Sequence, residues 1–369
     1  MMCTLRSVIG IVVVAAATLG AYASPTSPPP PPSDLVVRGG DHGPGRPCPP
    51  LKKGGFVIDR YQLYPENADW DAASCLVWFG ALFNSTVAVY DPYADKFVDI
   101  IKFPGFTRNP KNHIGGVGWD QNTGLVSILI SSAIPWETWG SDVSGEYLVV
   151  KYNPLTKKTL WTANITTISK GAYGGFQDVE HDVRGNTYVV GTWPGTIVRI
   201  SKTGKTITPW YVPNPLPPTT TKGVGGLAVV GETVLSNDGN GQILRFDLRA
   251  DRGTPVIVPI SPKVIRDDTD AIYLPPKYGG KVLLVASNFG GVLVYRSRDK
   301  TWRTAEYLGA VPRPNGTLYD GAATTGVVQM GSNSIYSIID WIDPFVDGVA
   351  GGRGLFPMPD ITKQVEDLF

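Results

Sequence analysis

Histidine is nearly missing from this chain, with 3 in 369 residues, alongside 4 methionines and 3 cysteines. One histidine and one cysteine near a site are weak grounds for nucleophilic catalysis, and no H-E-x-x-H, G-x-S-x-G or P-loop pattern occurs. Surplus charge is lacking too. Lys+Arg (33) and Asp+Glu (32) nearly cancel, so neither a nucleic-acid nor a membrane-surface partner is implied. Long apolar runs are absent except for "VIGIVVVAAATL" (8–19). Behind Arg6 and ahead of "AYA" (21–23), that run reads as the core of a signal peptide over 1–23. An uncleaved anchor is the competing reading, for which the run is short. The expected location is the secretory pathway, either secreted or in an endomembrane lumen, with no stable membrane insertion after cleavage.

Glycine (43), proline (32) and aromatic residues (10%) fill the space instead, the composition of short strands joined by tight turns. A proline run at 28–32 marks a stiff spacer within a Pro/Gly-rich arm over 24–50, and a single folded domain is expected over 51–369. Signal cleavage removes Cys3 and leaves Cys48 and Cys75, predicted to form a disulfide that tethers the arm; two buried free thiols are the alternative. Sequons at Asn84, Asn164 and Asn315 are expected on the surface, as glycosylation there would require.

The stretch "GGFQDVEHDVRGNTYVVGTWPGTIVRI" (174–200) carries acids beside a histidine, yet its order of strand, turn, strand, turn, strand recurs along the chain. Units at 68–91, 115–133, 225–248, 270–297 and 321–343 share that order. Five are followed by an outer β-rich segment, "KFVDIIKF", "KKTLWTANI", "KTITPWYV", "TPVIVPI" and "WRTAEYL". The missing outer strand has a candidate in "FVIDRYQLY" (56–64), which would close a ring. The period of roughly 45–60 residues predicts an all-β, six-bladed β-propeller closed by an N-terminal strand. A two-domain β-sandwich does not explain the period.

In such a ring the start of each first strand and the turn between strands two and three share one face. Alternation separates His181 from Glu180 and Asp182, which makes His181 a packed residue sooner than a catalytic one and gives Asp182 to the "RGN" turn. The mouth then gathers Asn67, Asn112, His113, Phe176, Gln177, Asp178, Thr269, Asp270, Tyr319 and Asp320 from first strands. Turns add Phe83, Trp193, Asn237, Asp238, Asn288, Phe289 and Trp341, and an insertion adds Trp136 and Trp139. Asp238 equally fits a simple turn in "SNDGNG". Aromatic and amide groups together suit an organic, hydrophobic metabolite as partner. No cofactor is called for; a Ca2+ ion at the axis on Glu66, Asp178, Asp270 and Asn288 is the reading left open.

With "SDVSGEYLVVKYNP" (141–154) and "SNDGNGQILRFDL" (236–248), the 174–200 stretch resembles the propeller proteins of fungal secondary-metabolite clusters. These include the trichothecene-cluster propeller protein and the hetero-Diels–Alderases of tropolone sesquiterpenoid pathways. The latter imply dehydration of a hydroxymethyl-tropolone to a quinone methide, then addition to a humulene-type alkene to form a dihydropyran. Holding both partners in register contributes about 7–11 kcal/mol. On that implication Trp193, Phe289 and Trp341 wall the rings, with Phe83, His113, Phe176 and Asp238 as further binding residues. Gln177, Asn288 and Tyr319 bond the oxygens, and Asp178 or Asp270 supplies the proton. The rivals are a metal-dependent lactonase of the gluconolactonase propeller type and a secreted propeller that binds without turnover.

Overall fold

The computed structural model describes residues 47–264 and 266–369; the expected signal peptide and most of the arm lie outside the described residues. The first strand, β1 (Phe56–Asp59), precedes a sheet of β2 (Pro65–Asp71), β3 (Leu76–Ala81), β4 (Thr86–Asp91) and β5 (Lys96–Lys102). Sheet two holds β6 (Asn112–Asp120), β7 (Leu125–Ser132), β8 (Leu148–Asn153) and β9 (Lys158–Asn164). Sheet three holds β10 (Gly174–His181), β11 (Thr187–Trp193), β12 (Thr196–Ile200) and β13 (Ile207–Tyr211). Sheet four follows with β14 (Leu227–Val230), β15 (Thr233–Asn237), β16 (Ile243–Asp247) and β17 (Val256–Ile257). Sheet five joins β18 (Ile260–Ser261) to β19 (Thr269–Tyr273), β20 (Val282–Ser287), β21 (Gly291–Arg296) and β22 (Ala305–Val311). Last come β23 (Ala323–Met330), β24 (Ser334–Asp340) and β25 (Leu355–Met358).

The first strands are neighbours in the order β2, β6, β10, β14, β19, β23, and β23 returns to β2. The molecule is an all-β propeller with few and short helices. Six complete four-stranded sheets were expected; five sheets of four or more strands are found, and the remaining strands make two pairs, β23–β24 and β1–β25. The expected strand over 56–64 is shorter, and its partner is β25, with Phe56 opposite Met358 and Asp59 opposite Leu355. The outer segment "TPVIVPI" also divides. Pro259, without an N–H to offer a ladder, separates β17 in sheet four from β18, which pairs in parallel with β22.

Aspartates make the turns between strands. Asp71 Oδ1 accepts the N–H groups of Ala73 and Ser74, and Asp91 Oδ1 those of Tyr93 and Ala94. Asp182 Oδ1 does the same for Arg184 and Asn186, as the "RGN" reading anticipates. Convergence on the axis explains the glycine pairs that open several units. A Cβ on Gly116 would lie 2.9 Å from the Gln177 carbonyl oxygen, and one on Gly226 2.5 Å from the Ile272 nitrogen. Between sheets, apolar clusters fill the wedges; Trp78, Val87, Ile114, Val126 and Ile128 pack sheets one and two together.

The arm is tied from below. Cys48 and Cys75 form the expected disulfide, Pro50 bridges Gly331, and the Leu51 carbonyl accepts the Ser334 hydroxyl at 2.8 Å.

Candidate functional site

Three of the first strands, β2, β10 and β19, together with the end of β24, bring acids to the axis. Asp178 is the most heavily bonded: Oδ1 accepts from Asn67 Nδ2 (3.1 Å) and the Val179 N–H (2.8 Å), and Oδ2 from the Leu227 N–H (2.8 Å). Burial pushes its carboxyl up to about 7 despite those donors. With three donors on two oxygens, Asp178 ties β2, β10 and β14 together and has little capacity left for a ligand. Burial likewise pushes Asp69 up to about 7 against the N–H bonds of Trp119 and Trp70. Burial first, and then the neighbouring acids Asp270 and Asp340, hold Glu66 well above the ordinary range. Glu180 is raised for the same reason.

Asp270 is built differently. Its Oδ2 accepts one amide bond, from Asn288 Nδ2 at 2.9 Å, and burial raises its carboxyl. Two small adjoining cavities run beside it along the axis, about 30 and 10 Å3, sharing Asn67, Asp178 and Ala271 in their walls. One water needs about 10–15 Å3 and organic ligands occupy about 300–1,000 Å3, so these two cavities are of water size. Among the described residues no group of three or more His, Cys, Asp or Glu side chains is placed to hold a metal ion. Of the four oxygen ligands considered for calcium, Asp178 already has both carboxylate oxygens engaged by protein donors, while Asn288 donates its amide nitrogen to Asp270 and to the Thr324 carbonyl.

Some of the expected mouth residues do meet. Trp341 Nε1 donates to the Asp320 carbonyl at 2.9 Å, the Phe83 ring meets His113 edge-on at 5.4 Å, and Asn288 reaches Asp270. Several expected contact residues are nevertheless spent on packing. Phe176 is wholly buried against Tyr147 and Tyr173, so it cannot touch a ligand. Phe83 is covered by Phe345, Trp341 is buried with Arg353 over its ring, and Trp193 is buried beside Trp136. Asp238 caps its own turn through the N–H groups of Asn240 and Gln242. His113 is buried and its imidazole held down to about 4 by that burial. His181 is buried with Nε2 2.8 Å from Ser127 Oγ, a packed residue as expected. Gln177 lines the narrower cavity, and Tyr319 is half-buried on a short turn.

Large apolar side chains stay open at the mouth beside polar ones such as Asp320. Phe289 is 81% exposed, Trp139 76% and Ile342 90%, each on a connection at that end. Two cations there were missed from the sequence. Lys222 Nζ donates to the carbonyls of Asp267 (2.7 Å) and Thr269 (3.2 Å), and Arg313 Nη1 to those of Asn288 (3.2 Å) and Ala322. The signal existed, since "TTTKGVGG" (219–226) runs straight into an inner strand, but the register rule gathered only the residues next to each strand. Asp340 was missed because the rule took Trp341 after it.

Asn164 and Asn315 are exposed, whereas Asn84 is half-buried with Nδ2 donating to the Gln62 carbonyl at 2.6 Å. No helix among the described residues is long and apolar enough to cross a membrane.

No protein-family model matches the chain. Its fold is similar to the Malassezia sympodialis allergen Mala s 1 (TM-score 0.69, 18% identity, covering 83% of this chain and 95% of that one). It is also similar to a calcium-binding regucalcin from Agrobacterium tumefaciens (TM-score 0.50, 14% identity, 83% and 92%). At those identities the likeness concerns fold alone. Two curated relatives are closer in sequence. Trichothecene biosynthesis protein 14 of Trichoderma arundinaceum is 36% identical over 88% of this chain and 92% of its own length. Core trichothecene cluster protein 14 of Fusarium sporotrichioides is 32% identical over 86% and 87%. Identity at that level along nearly the whole length places this propeller in the family of trichothecene cluster protein 14.

Proposed function

We propose that the protein serves fungal secondary metabolism as a cyclase acting on a hydrophobic metabolite at the propeller mouth. The specific reaction is a hetero-Diels–Alder addition of a tropolone-derived quinone methide to a humulene-type alkene. The observation that carries this reading is Asp270, a half-buried acid on the wall of the narrower cavity, hydrogen-bonded by Asn288, whose chain neighbour Phe289 is exposed. A carboxyl raised by burial in that position is suited to protonate a departing hydroxyl, and the exposed apolar side chains of the rim to orient two carbon skeletons and limit water. The small axial cavities support a substrate on the rim, and Asn288, Phe289 and Tyr319 are its proposed contacts. No metal is assigned a role.

The same reading takes β23, β24, β25 and β1 as a sixth blade, closed by the N-terminal strand. Its support is the Ile361 N–H on the Ile335 carbonyl (2.8 Å) and the Tyr336–Asp360 bridge, which lay the β25 end beside β24. Entry to the secretory pathway is part of the proposal, supported by the disulfide and by two exposed sequons, Asn164 and Asn315.

Incubation with a quinone-methide precursor and humulene tests the activity. The expected result is a changed product ratio and stereochemistry against buffer, reduced by ~10²-fold in rate in Asp270→Asn. The small axial cavity favours one other reading, a carrier without turnover. Substrate binding with a product ratio equal to buffer selects that carrier over the cyclase.

A further inference from the structure

Lys222 and Arg313 are cations without a carboxylate partner among the described ion pairs. Each is held half-buried by backbone carbonyls instead. They grip two different segments: Lys222 holds the chain leading into β19, and Arg313 holds the turn after β20 and the Ala322 carbonyl. Those segments are themselves joined, through the Asn288 N–H on the Asp268 carbonyl at 2.9 Å and the Asn288 amide on Asp270. Phe289 stands exposed on that turn.

An ammonium has three donors and a guanidinium five. Two of Lys222 are committed to carbonyls, and Arg313 is engaged through one nitrogen. The remaining donors belong to side chains bonded to the segments that carry Asp270 and the exposed Phe289. Neither cation is within ion-pair distance of a described carboxylate, so each keeps donors and charge for a ligand. Lys222 is also near enough to Asp270 to draw that carboxyl downward against its burial.

We propose that Lys222 and Arg313 form a subsite for an ionised oxygen on a conjugated, hydrophobic metabolite, such as an enolate or tropolonate, whose ring lies against Phe289. This rests on the reading of the mouth as the metabolite site. In a reaction, the same pair would stabilise negative charge on the ring oxygen while Asp270 handles the proton.

The probes are tropolone above its ionisation pH and its neutral O-methyl ether, with affinities measured by calorimetry. The wild type is expected to bind the anion at least about tenfold tighter than the ether. Lys222→Gln keeps an N–H for the carbonyls and loses the charge; Arg313→Gln does so independently. Each is expected to erase most of the preference while leaving ether binding in place, and Phe289→Ala to weaken both ligands alike. Equal binding of the two probes by the wild type, or a preference that persists in both Gln variants, overturns the subsite and spares the mouth reading. Binding of neither probe, or full binding of both by Phe289→Ala, removes the mouth reading and the subsite with it.

Discussion

Between sheets two and three, Ser127 Oγ lies 2.8 Å from His181 Nε2 and 3.2 Å from Lys151 Nζ, and Lys151 reaches Asp120 Oδ2 at 3.3 Å. The set has the composition of a hydrolytic centre. All four side chains are buried, so it serves as a polar staple between sheets. Asp120 also accepts from the Asn122 N–H and the Thr123 hydroxyl, so it depends on Lys151 for charge compensation alone. Removing one partner of a buried pair leaves an uncompensated charge at a cost of about 3–5 kcal/mol, whereas removing both costs far less. Lys151→Met is therefore expected to lower unfolding stability in urea by about 3 kcal/mol. Asp120→Asn on that background is expected to restore part of the loss. A double variant as unstable as the single would show that volume, and not charge, controls the position. The role of His181 was legible because strand alternation is local. Its partners were not, since they come from a different sheet.

At the scale of elements, the inner strands were readable wherever apolar alternation, Asp turns and glycine pairs repeat together. β25 was not, because "LFPM" (355–358) carries a proline and follows the long connection 341–354. Connection length also explains the misread site. In sheet five the short "NFGG" turn leaves Phe289 exposed, while the 133–146 insertion lies by Trp193 and the 341–354 connection by Phe83, burying both. An aromatic residue at a turn position is identifiable from sequence; whether another loop covers it depends on a distant segment. The arm makes the sharpest element-level prediction. The Cys48–Cys75 link closes a loop of 27 residues and anchors the segment that reaches Gly331 and Ser334. Loop-closure entropy gives about 3–4 kcal/mol for a loop of that length. Cys75→Ser is expected to lose about that much in urea and to show faster proteolysis within 47–55 than elsewhere. An unchanged midpoint with the arm equally resistant would mean that the strand pairing and hydroxyl bonds alone hold it.

At the scale of the whole molecule, gathering first strands at one axis puts acids where water is scarce. Asp69, Asp178 and Asp340 are all pushed up to about 7, chiefly by burial. A carboxyl raised in the fold contributes stability that is complete below its unfolded value near 3.8 and is lost as pH climbs through about 7. The buried histidines act in the opposite direction. His113 and His181 are lowered from 6.5 to about 4 and about 3, so their contribution is complete above 6.5 and is lost as pH falls through those values. Between pH 5 and 6.5 the folded chain holds protons on its axial acids that the unfolded chain has released. The unfolded chain holds at most two that the fold refuses, one on each of these imidazoles. With Glu66, Glu180 and Asp270 also raised, the acids outnumber the histidines and the slope has their sign. Unfolding stability is thus expected to decline as pH rises from about 5 to 8, by up to ~1.4 kcal/mol per pH unit for each excess proton bound. Urea midpoints across that range check it, and Asp69→Asn should flatten the curve by about one proton. A midpoint that instead rises toward pH 8 would mean the axis is hydrated enough to keep these carboxylates ionised, and with them Asp270, which would remove the acid from the proposed chemistry.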